Sequence, residues 1–172
     1  MQALTAHGVA RRTVGLVLLA AAAAGCQSAA VPKTNHRGAS SDSAMTTVDN
    51  AFLVPSLVPG SCAMQSGHTA KLSFTVTNNR SVGSERLTSV VTDAASDIVI
   101  PRGGTAAIPA GGALTLGQPR SDSARATVLP AADVTGLRPQ VRAATSLIVT
   151  FTFADAGQVT MQVPVEACPT QK

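Results

Sequence analysis

The chain has 172 residues, the length of one domain with extensions, and a formal net charge of +4. This charge is too small, and the aromatic content of 2% too low, for a nucleic-acid surface that attracts phosphates and stacks bases. Trp and Tyr are absent, so the rings on which carbohydrate-binding faces stack sugars are missing as well. The abundance of Ala, Val, Thr and Gly is typical of a GC-rich, actinobacterial source.

The first predicted element is a secretory signal peptide over residues 1–25. Arg11 and Arg12 precede an uncharged apolar run of twelve residues from Thr13 to Ala24. A membrane-spanning helix needs about 20 apolar residues, whereas the core of a signal peptide needs about 7–15. The run therefore predicts export. The general secretory route fits better than the twin-arginine route, because the residues after Arg12 match the twin-arginine motif poorly.

The end of the apolar run carries a cysteine in a characteristic setting. The tetrad Ala23-Ala24-Gly25-Cys26 resembles the bacterial lipobox, in which the cysteine receives a diacylglycerol and becomes the first residue of the mature chain. A plain signal peptide followed by an incidental cysteine is the alternative. One acyl chain holds a protein to a bilayer only marginally, whereas two or three, palmitate among them, hold it stably. We predict that Cys26 is acylated and anchors the protein in membrane lipid, on the extracytoplasmic face of the cell membrane.

Residues 26–45 are rich in Ser, Ala, Asn and Gly and lack apolar periodicity. Such a segment cannot bury a core, so it predicts a flexible polar tether. Residues 46–168 predict a β-sandwich domain, and residues 169–172 a short tail.

Short alternating segments separated by Gly, Pro and Asn turns predict strands along the β domain. In "AKLSFTVTNN", Leu72, Phe74 and Val76 share an apolar face, and the residues between them, including Ser73, share a polar face. Further strands are predicted in "TTVDNAFLVPS", "RLTSVVTD", "DIVIP", "ALTLG" and "RATVLP". The segment "SLIVTFTFADAGQVTMQVPVEAC" predicts a hairpin that turns at Asp155-Ala156-Gly157. No segment after residue 30 has a helical stripe, so the predicted fold is all-β, a sandwich or Greek-key barrel.

Two cysteines remain once Cys26 is acylated, Cys62 and Cys168. An even pair of cysteines in an oxidising compartment predicts a disulfide. Closing a loop of about 100 residues would stabilise the fold by about 4–5 kcal/mol in the chain-entropy model.

Four segments in a fixed order resemble the PCu(A)C-type periplasmic copper chaperones: "TVTNN", "ERLTSVVTDAAS", "IPAGGALTLG" and "FTFADAGQVTMQVPV". Those chaperones are small cupredoxin-like β-sandwiches, and the resemblance implies that fold for residues 46–166. The layout of lipobox, polar tether, one β domain and short tail resembles the actinobacterial LpqE lipoproteins, a divergent branch of that superfamily.

The chaperones of this family bind copper through His and Met, and thioether with imidazole suits Cu(I). The resemblance places these ligands near Ile98 to Ile100 and near Arg125 to Leu129, where this chain has "DIVIPR" and "RATVL". Between Thr69 and Thr160 the sequence has no His, no Met and no Cys. We therefore expect no metal and no other cofactor at the positions that define the family.

One loop keeps a copper site open as the alternative. The segment "CAMQSGH" places Cys62, Met64 and His68 within seven residues, and all three side chains are soft-metal ligands. The preferred interpretation pairs Cys62 with Cys168, packs Met64 on the core and leaves His68 in solvent. Met161 alternates with valines and is predicted to lie in the core.

Enzyme chemistry has little support. A serine nucleophile needs a His base held by an acid, and His68 is the only histidine of the predicted β domain. Asp93 and Asp97 flank an Ala-Ala turn and are expected to be solvated. We expect a non-catalytic envelope lipoprotein whose β-sandwich binds an envelope protein or cell-wall material, and no nucleic acid. The alternative is a copper metallochaperone with a relocated site at the Cys62–His68 loop.

Overall fold

The computed structural model describes residues 38–41, 45–58, 61, 63–64, 69–119 and 126–167. Every regular element in these ranges is a strand, and none of them contains a helix able to cross a membrane. The nine strands are β1 (Thr46–Pro55), β2 (Ala70–Asn78), β3 (Leu87–Val91), β4 (Asp97–Val99), β5 (Ala113–Leu116), β6 (Ala126–Leu129), β7 (Ala132–Thr135), β8 (Ser146–Phe153) and β9 (Gly157–Pro164). The all-β prediction is confirmed.

The larger sheet has six strands and is organised around β2. β1 pairs antiparallel with one edge of β2. β5 and β7 share the other edge, with β7 beside Ala70–Leu72 and β5 beside Phe74–Thr77. β6 pairs parallel with β5, and β4 pairs antiparallel with β7. Both β4 and β6 therefore lie on the same side of β2, one strand farther out.

The smaller sheet has the order β3-β8-β9. β8 and β9 form the predicted hairpin, whose register runs from Phe153 opposite Gly157 to Ser146 opposite Pro164. Gly157 has a φ of +75°, which suits the glycine that closes a three-residue hairpin loop. The alternation read from the sequence holds, because Val149 and Phe151 are fully buried while Ile148 is exposed.

The core lies between the two sheets. Leu72, Phe74 and Val76 from β2 are fully buried, as predicted. The rings of Phe74 and Phe151 meet edge to face, with centroids 5.0 Å apart and an interplanar angle of 67°. Such a pair contributes about 0.5–1.5 kcal/mol beyond its burial. The one aromatic contact therefore joins the centres of the two sheets.

Two features of the larger sheet differ from the sequence prediction. β7 was not predicted, although Ala132 and Val134 alternate into the core. Ser73, predicted on a polar face, is only 3% exposed. Gly117, which follows β5, lies beside it, and the Ser73 hydroxyl donates to the carbonyl oxygen of Gly117 at 3.3 Å. A long-range contact thus covers a position that the local pattern assigns to solvent.

Contacts with the domain begin inside the predicted tether. Ala39 pairs with Ala51 through two backbone hydrogen bonds of 3.0 Å, and the N–H of Ser41 donates to the carbonyl of Val48 at 2.8 Å. These bonds reach the outer edge of β1 where a register shift interrupts its pairing with β2. The predicted signal peptide, most of the tether and the tail at 169–172 lie outside the described residues, as do Cys26, Cys62, His68 and Cys168.

Candidate functional site

The chain that follows one of the segments at which the resemblance places copper ligands lies close to the end of the other. β4 continues through Ile100 into a turn that is closed by a 2.9 Å hydrogen bond from the N–H of Gly104 to the carbonyl of Pro101. This turn meets the end of β6, since a Cβ built on Gly103 would lie 3.7 Å from Cδ2 of Leu129. The contact follows from the topology, which puts β4 and β6 on the same side of β2.

The side chains of the two segments that pack against the core are aliphatic. Ile98, Ile100 and Leu129 are half-buried and pack against the core. The turn is tight around them, because a Cβ on Gly104 would lie 2.3 Å from Cγ2 of Ile100. Aliphatic carbon has no lone pair to offer, so these three side chains cannot coordinate copper. We call this group, Ile98, Ile100, Gly103 and Leu129, the apolar cap.

The soft-ligand loop is described only in part. Met64 is half-buried against the core and forms an isolated bridge with Leu57, which supports the interpretation that it packs on the domain. Cys62 and His68 lie outside the described residues, so the structure does not test whether the three side chains meet. Met161 is 8% exposed on β9, which confirms its predicted place in the core.

His, Cys, Asp and Glu side chains in the described part of the chain come together at most in pairs. Within those ranges no group of three or more His, Cys, Asp or Glu side chains is placed to hold a metal ion. Asp93 and Asp97 are both exposed, which confirms the prediction for this turn. Ala94 and Ala95 between them are buried, and this burial turns the two carboxylates outward.

The sequence did not single out the carboxylate of Glu85, which is 1% exposed and is the most enclosed charged group among the described residues. Its Oε1 accepts hydrogen bonds from the backbone N–H groups of Arg86 at 2.8 Å and Asp155 at 3.1 Å. Its Oε2 accepts from the N–H of Ala156 at 3.0 Å and from Oγ1 of Thr46 at 3.2 Å. One side chain therefore joins the beginning of β1, the segment before β3 and the turn of the β8–β9 hairpin.

A guanidinium group completes this cluster. Nη2 of Arg80 lies 3.3 Å from Oε2 of Glu85, and Nη1 lies 3.1 Å from Oδ2 of Asp155. Burial raises the pKa of Glu85, but the hydrogen bonds accepted by the charged form outweigh burial and hold the pKa below its ordinary value. A carboxylate has about four acceptor sites, and here they are engaged. Glu85 is thus built to hold the fold together, with no lone pair free to act as a base.

Comparison with known proteins agrees with this architecture. Residues 46–165 match the model of the LpqE-like lipoprotein family. No curated protein sequence matches the chain. Similar solved structures include the copper-bound PCuAC domain from PmoF2, with 16% identity, a TM-score of 0.53, and coverage of 76% of this chain and 99% of that chain.

Two further structures show the same likeness. The apo PCuAC domain from PmoF1 has 16% identity and a TM-score of 0.53, and covers 76% of this chain and all (100%) of its own. The apo PmoF2 PCuAC domain has 14% identity and a TM-score of 0.52, and covers 75% of this chain and 95% of its own. At such identities the likeness shows the fold alone. The chain belongs to the LpqE-like lipoprotein family, and its β domain has the fold of the PCuAC domains.

Proposed function

We propose that the protein is an extracytoplasmic lipoprotein, anchored in the cell membrane through Cys26, whose β-sandwich is a non-catalytic binding or structural module. Membership of a lipoprotein family supports an anchored, extracytoplasmic location. The solved structures that resemble the domain are PCuAC domains, not enzymes. The partner of this module is an envelope protein or cell-wall material, reached from the membrane surface.

The observation that carries this proposal is the apolar cap. The resemblance assigns copper ligands to the segments that contain Ile98 and Leu129, and the turn after the first segment meets the end of the second at Gly103. They meet with aliphatic side chains that pack against the core. This arrangement supports a domain that keeps the fold of the superfamily without its usual ligands.

A disulfide between Cys62 and Cys168 is part of the proposal, and contacts of the neighbouring residues support it. On one side, the N–H of Glu166 donates to the carbonyl of Leu53 at 2.8 Å. On the other side, Met64 pairs with Leu57. Cys168 is two residues from Glu166, and Cys62 is two residues from Met64. The partners of Glu166 and Met64, Leu53 and Leu57, are four residues apart in the same stretch of chain. Four residues of strand span about 13 Å, a distance that two short connections can bridge.

The second candidate function is copper transfer through Cys62, Met64 and His68. It is favoured by the likeness to a copper-bound PCuAC domain and by the presence of three soft ligands in one loop. The oxidation state of Cys62 separates the two candidates, since a disulfide would remove the thiolate that binds Cu(I) best.

The test is a competition titration of residues 27–172, which lack Cys26, with Cu(I) against a chelator. It is run with and without prior reduction, and intact mass is recorded in the same samples. We expect no competitive binding in either state and a mass two hydrogens below the reduced form. Stoichiometric binding that is lost in Met64→Ala and His68→Ala would overturn the binding-module proposal in favour of the chaperone.

Anchoring is tested separately on the full chain in a bacterial host that lipidates proteins. We expect the wild type to partition with membranes and to carry a diacylglycerol adduct by mass. The Cys26→Ala variant should be soluble or retain its signal peptide. An unmodified wild-type chain released into the medium would overturn the anchor.

A further inference from the structure

A cavity of about 250 Å³ lies beside the smaller sheet, and its lining shares no residue with the apolar cap. It is formed by the turn that follows β3, the chain near residue 140 and the first residues of β8. Ala94 and Val141, both 7% exposed, provide buried apolar surface, and Leu147 adds a half-buried wall. Ile148 is 46% exposed beside them. At about 30 Å³ per water, the space holds roughly eight water molecules.

The polar side chains of this cavity are free to bind a ligand. Asp93, Gln140 and Ser146 line it, and none of these side chains has a hydrogen-bond or ion-pair partner among the residues that the structure describes. Thr145, in contrast, donates its hydroxyl to the carbonyl oxygen of Arg142 at 2.7 Å. The cavity thus combines aliphatic walls with a few convergent polar groups, the usual composition of a small-ligand site.

The charge of the described lining is negative, because Asp93 is its one ionised side chain. Arg142, in the same loop as Val141, forms no ion pair with it. Its guanidinium donates to the carbonyl oxygens of Pro139 and Val141 instead. A ligand that brings its own positive charge would therefore meet a carboxylate without a cationic partner.

We propose that this cavity binds a primary alkylammonium group, either the side chain of a lysine on a partner protein or a free aliphatic amine. An ammonium group has three donors, and the carboxylate, amide and hydroxyl oxygens of Asp93, Gln140 and Ser146 are acceptors. The methylene chain behind the ammonium would lie along Leu147 and Val141, as lysine stems do on apolar surfaces. The interaction is electrostatic and exposed, so it weakens as salt is added.

The backbone beside the cavity is fixed before a ligand arrives. Ala144 has a φ of +60°, a conformation that a residue with a Cβ rarely adopts. Its N–H donates to the carbonyl of Val165 at 3.2 Å, and the N–H of Val165 donates to the carbonyl of Thr145 at 2.8 Å. Strain of this kind persists only where surrounding bonds enforce it, and it often marks functional surfaces. The wall that carries Ser146 is therefore preorganised.

The test is a titration of the isotope-labelled full chain with n-butylammonium chloride at low salt, followed by the amide resonances. We expect saturable shifts confined to the cavity, at Asp93, Ala94, Ser146 and Ile148. Neutral n-butanol should bind about two- to five-fold more weakly, the loss expected for one exposed charge pair. No saturable shift, or equal binding of the alcohol, would overturn the proposal.

Two matched variants test whether the carboxylate of Asp93 is the charge that attracts the ammonium group. Asp93→Asn should weaken n-butylammonium binding about two- to five-fold. Asp97→Asn removes an equally exposed carboxylate four residues away and should leave binding unchanged. If the two variants behave alike, binding reflects general attraction to the surface and the proposal is wrong. Their amide spectra also report whether each variant is folded.

A second ligand distinguishes the source of the amine. A blocked tripeptide with lysine in the middle is titrated beside n-butylammonium. Tighter binding of the peptide assigns the site to a partner protein, and tighter binding of the free amine assigns it to a small molecule. Either order supports the shared chemistry, and absence of saturable binding for both refutes it. The proposal depends on neither Cys26 nor Cys62, so it and the proposed function fail independently.

Discussion

Replacing Glu85 by glutamine tests how much of the fold depends on one buried carboxylate. The side chain keeps its shape but loses its charge, and its NH₂ group faces two of the donors that the carboxylate now satisfies. Arg80, only 17% exposed, would lose one of its two anionic partners. Removing one member of a buried ion pair costs about 3–5 kcal/mol. We expect a loss of that size, a large part of the roughly 5–15 kcal/mol that stabilises an ordinary domain.

The assay is urea unfolding followed by far-ultraviolet circular dichroism, because the chain has no Trp or Tyr to report by fluorescence. Asp155→Asn is the matched control. It also removes a carboxylate beside Arg80, but its side chain is 57% exposed, so we expect a loss below about 1 kcal/mol. If Glu85→Gln at pH 7 lies within about 1 kcal/mol of the wild type, the structural role assigned to Glu85 is refuted.

The same variant predicts a pH dependence. The pKa of Glu85 is lowered in the folded state from its ordinary value of 4.5. Its stabilisation is therefore complete above that ordinary value and is lost as the pH falls through the lower folded-state pKa. The stability difference between the wild type and Glu85→Gln should be constant near neutral pH and shrink as the pH falls below that ordinary value. A difference that grows on acidification would contradict this reasoning.

Two further predictions concern a glycine and the cysteine pair. Gly117→Ala should cost more than about 2 kcal/mol, because φ is +65° and the new Cβ would lie 2.3 Å from Oγ of Ser73. Gly157→Ala, at φ +75° with nothing within 4 Å of the new Cβ, should cost only about 1 kcal/mol. If the two glycine variants lose equal stability in urea unfolding, the close contact between Gly117 and Ser73 is looser than described. Replacing Cys62 and Cys168 by serine, singly or together, should lower stability by about 4–5 kcal/mol, and a double variant as stable as the wild type would exclude the disulfide.

The strands that the sequence predicted are those whose burial follows a local alternation. β8 and β9 pair with each other across a short turn, so one continuous segment of sequence contains both the alternating pattern and the pairing partner. β7 is different, because "ADVT" has only two apolar residues and becomes a strand through pairing with β2 and β4, far away in sequence. Ser73 was assigned to solvent for the same reason, since what covers it is a distant segment.

The candidate sites show the same limit of local sequence patterns, which do not reveal contacts between distant segments. The sequence showed that the family's ligand positions, near residues 98–100 and 125–129, carry no ligand, but it did not predict that the turn after β4 meets the end of β6. Glu85 was not distinguishable from the other acidic residues, because its donors come from three separate segments. The cavity beside Asp93 was equally hidden: the turn was predicted as solvated, but Gln140 and Ser146 reach it only through the folding of the loop before β8.

The docking of Ala39 onto β1 sets how far the domain can stand from a lipid on Cys26. The chain is held to the sheet from residue 39, so the connection to the bilayer is about twelve residues, shorter than the composition alone implies. Fully extended, twelve residues span at most about 40 Å, and as a random coil they would average about 20 Å. That second figure is close to the width of a small domain. The domain of an anchored molecule would therefore stay close to the lipid headgroups. A partner at the membrane surface would meet the domain at a high local concentration.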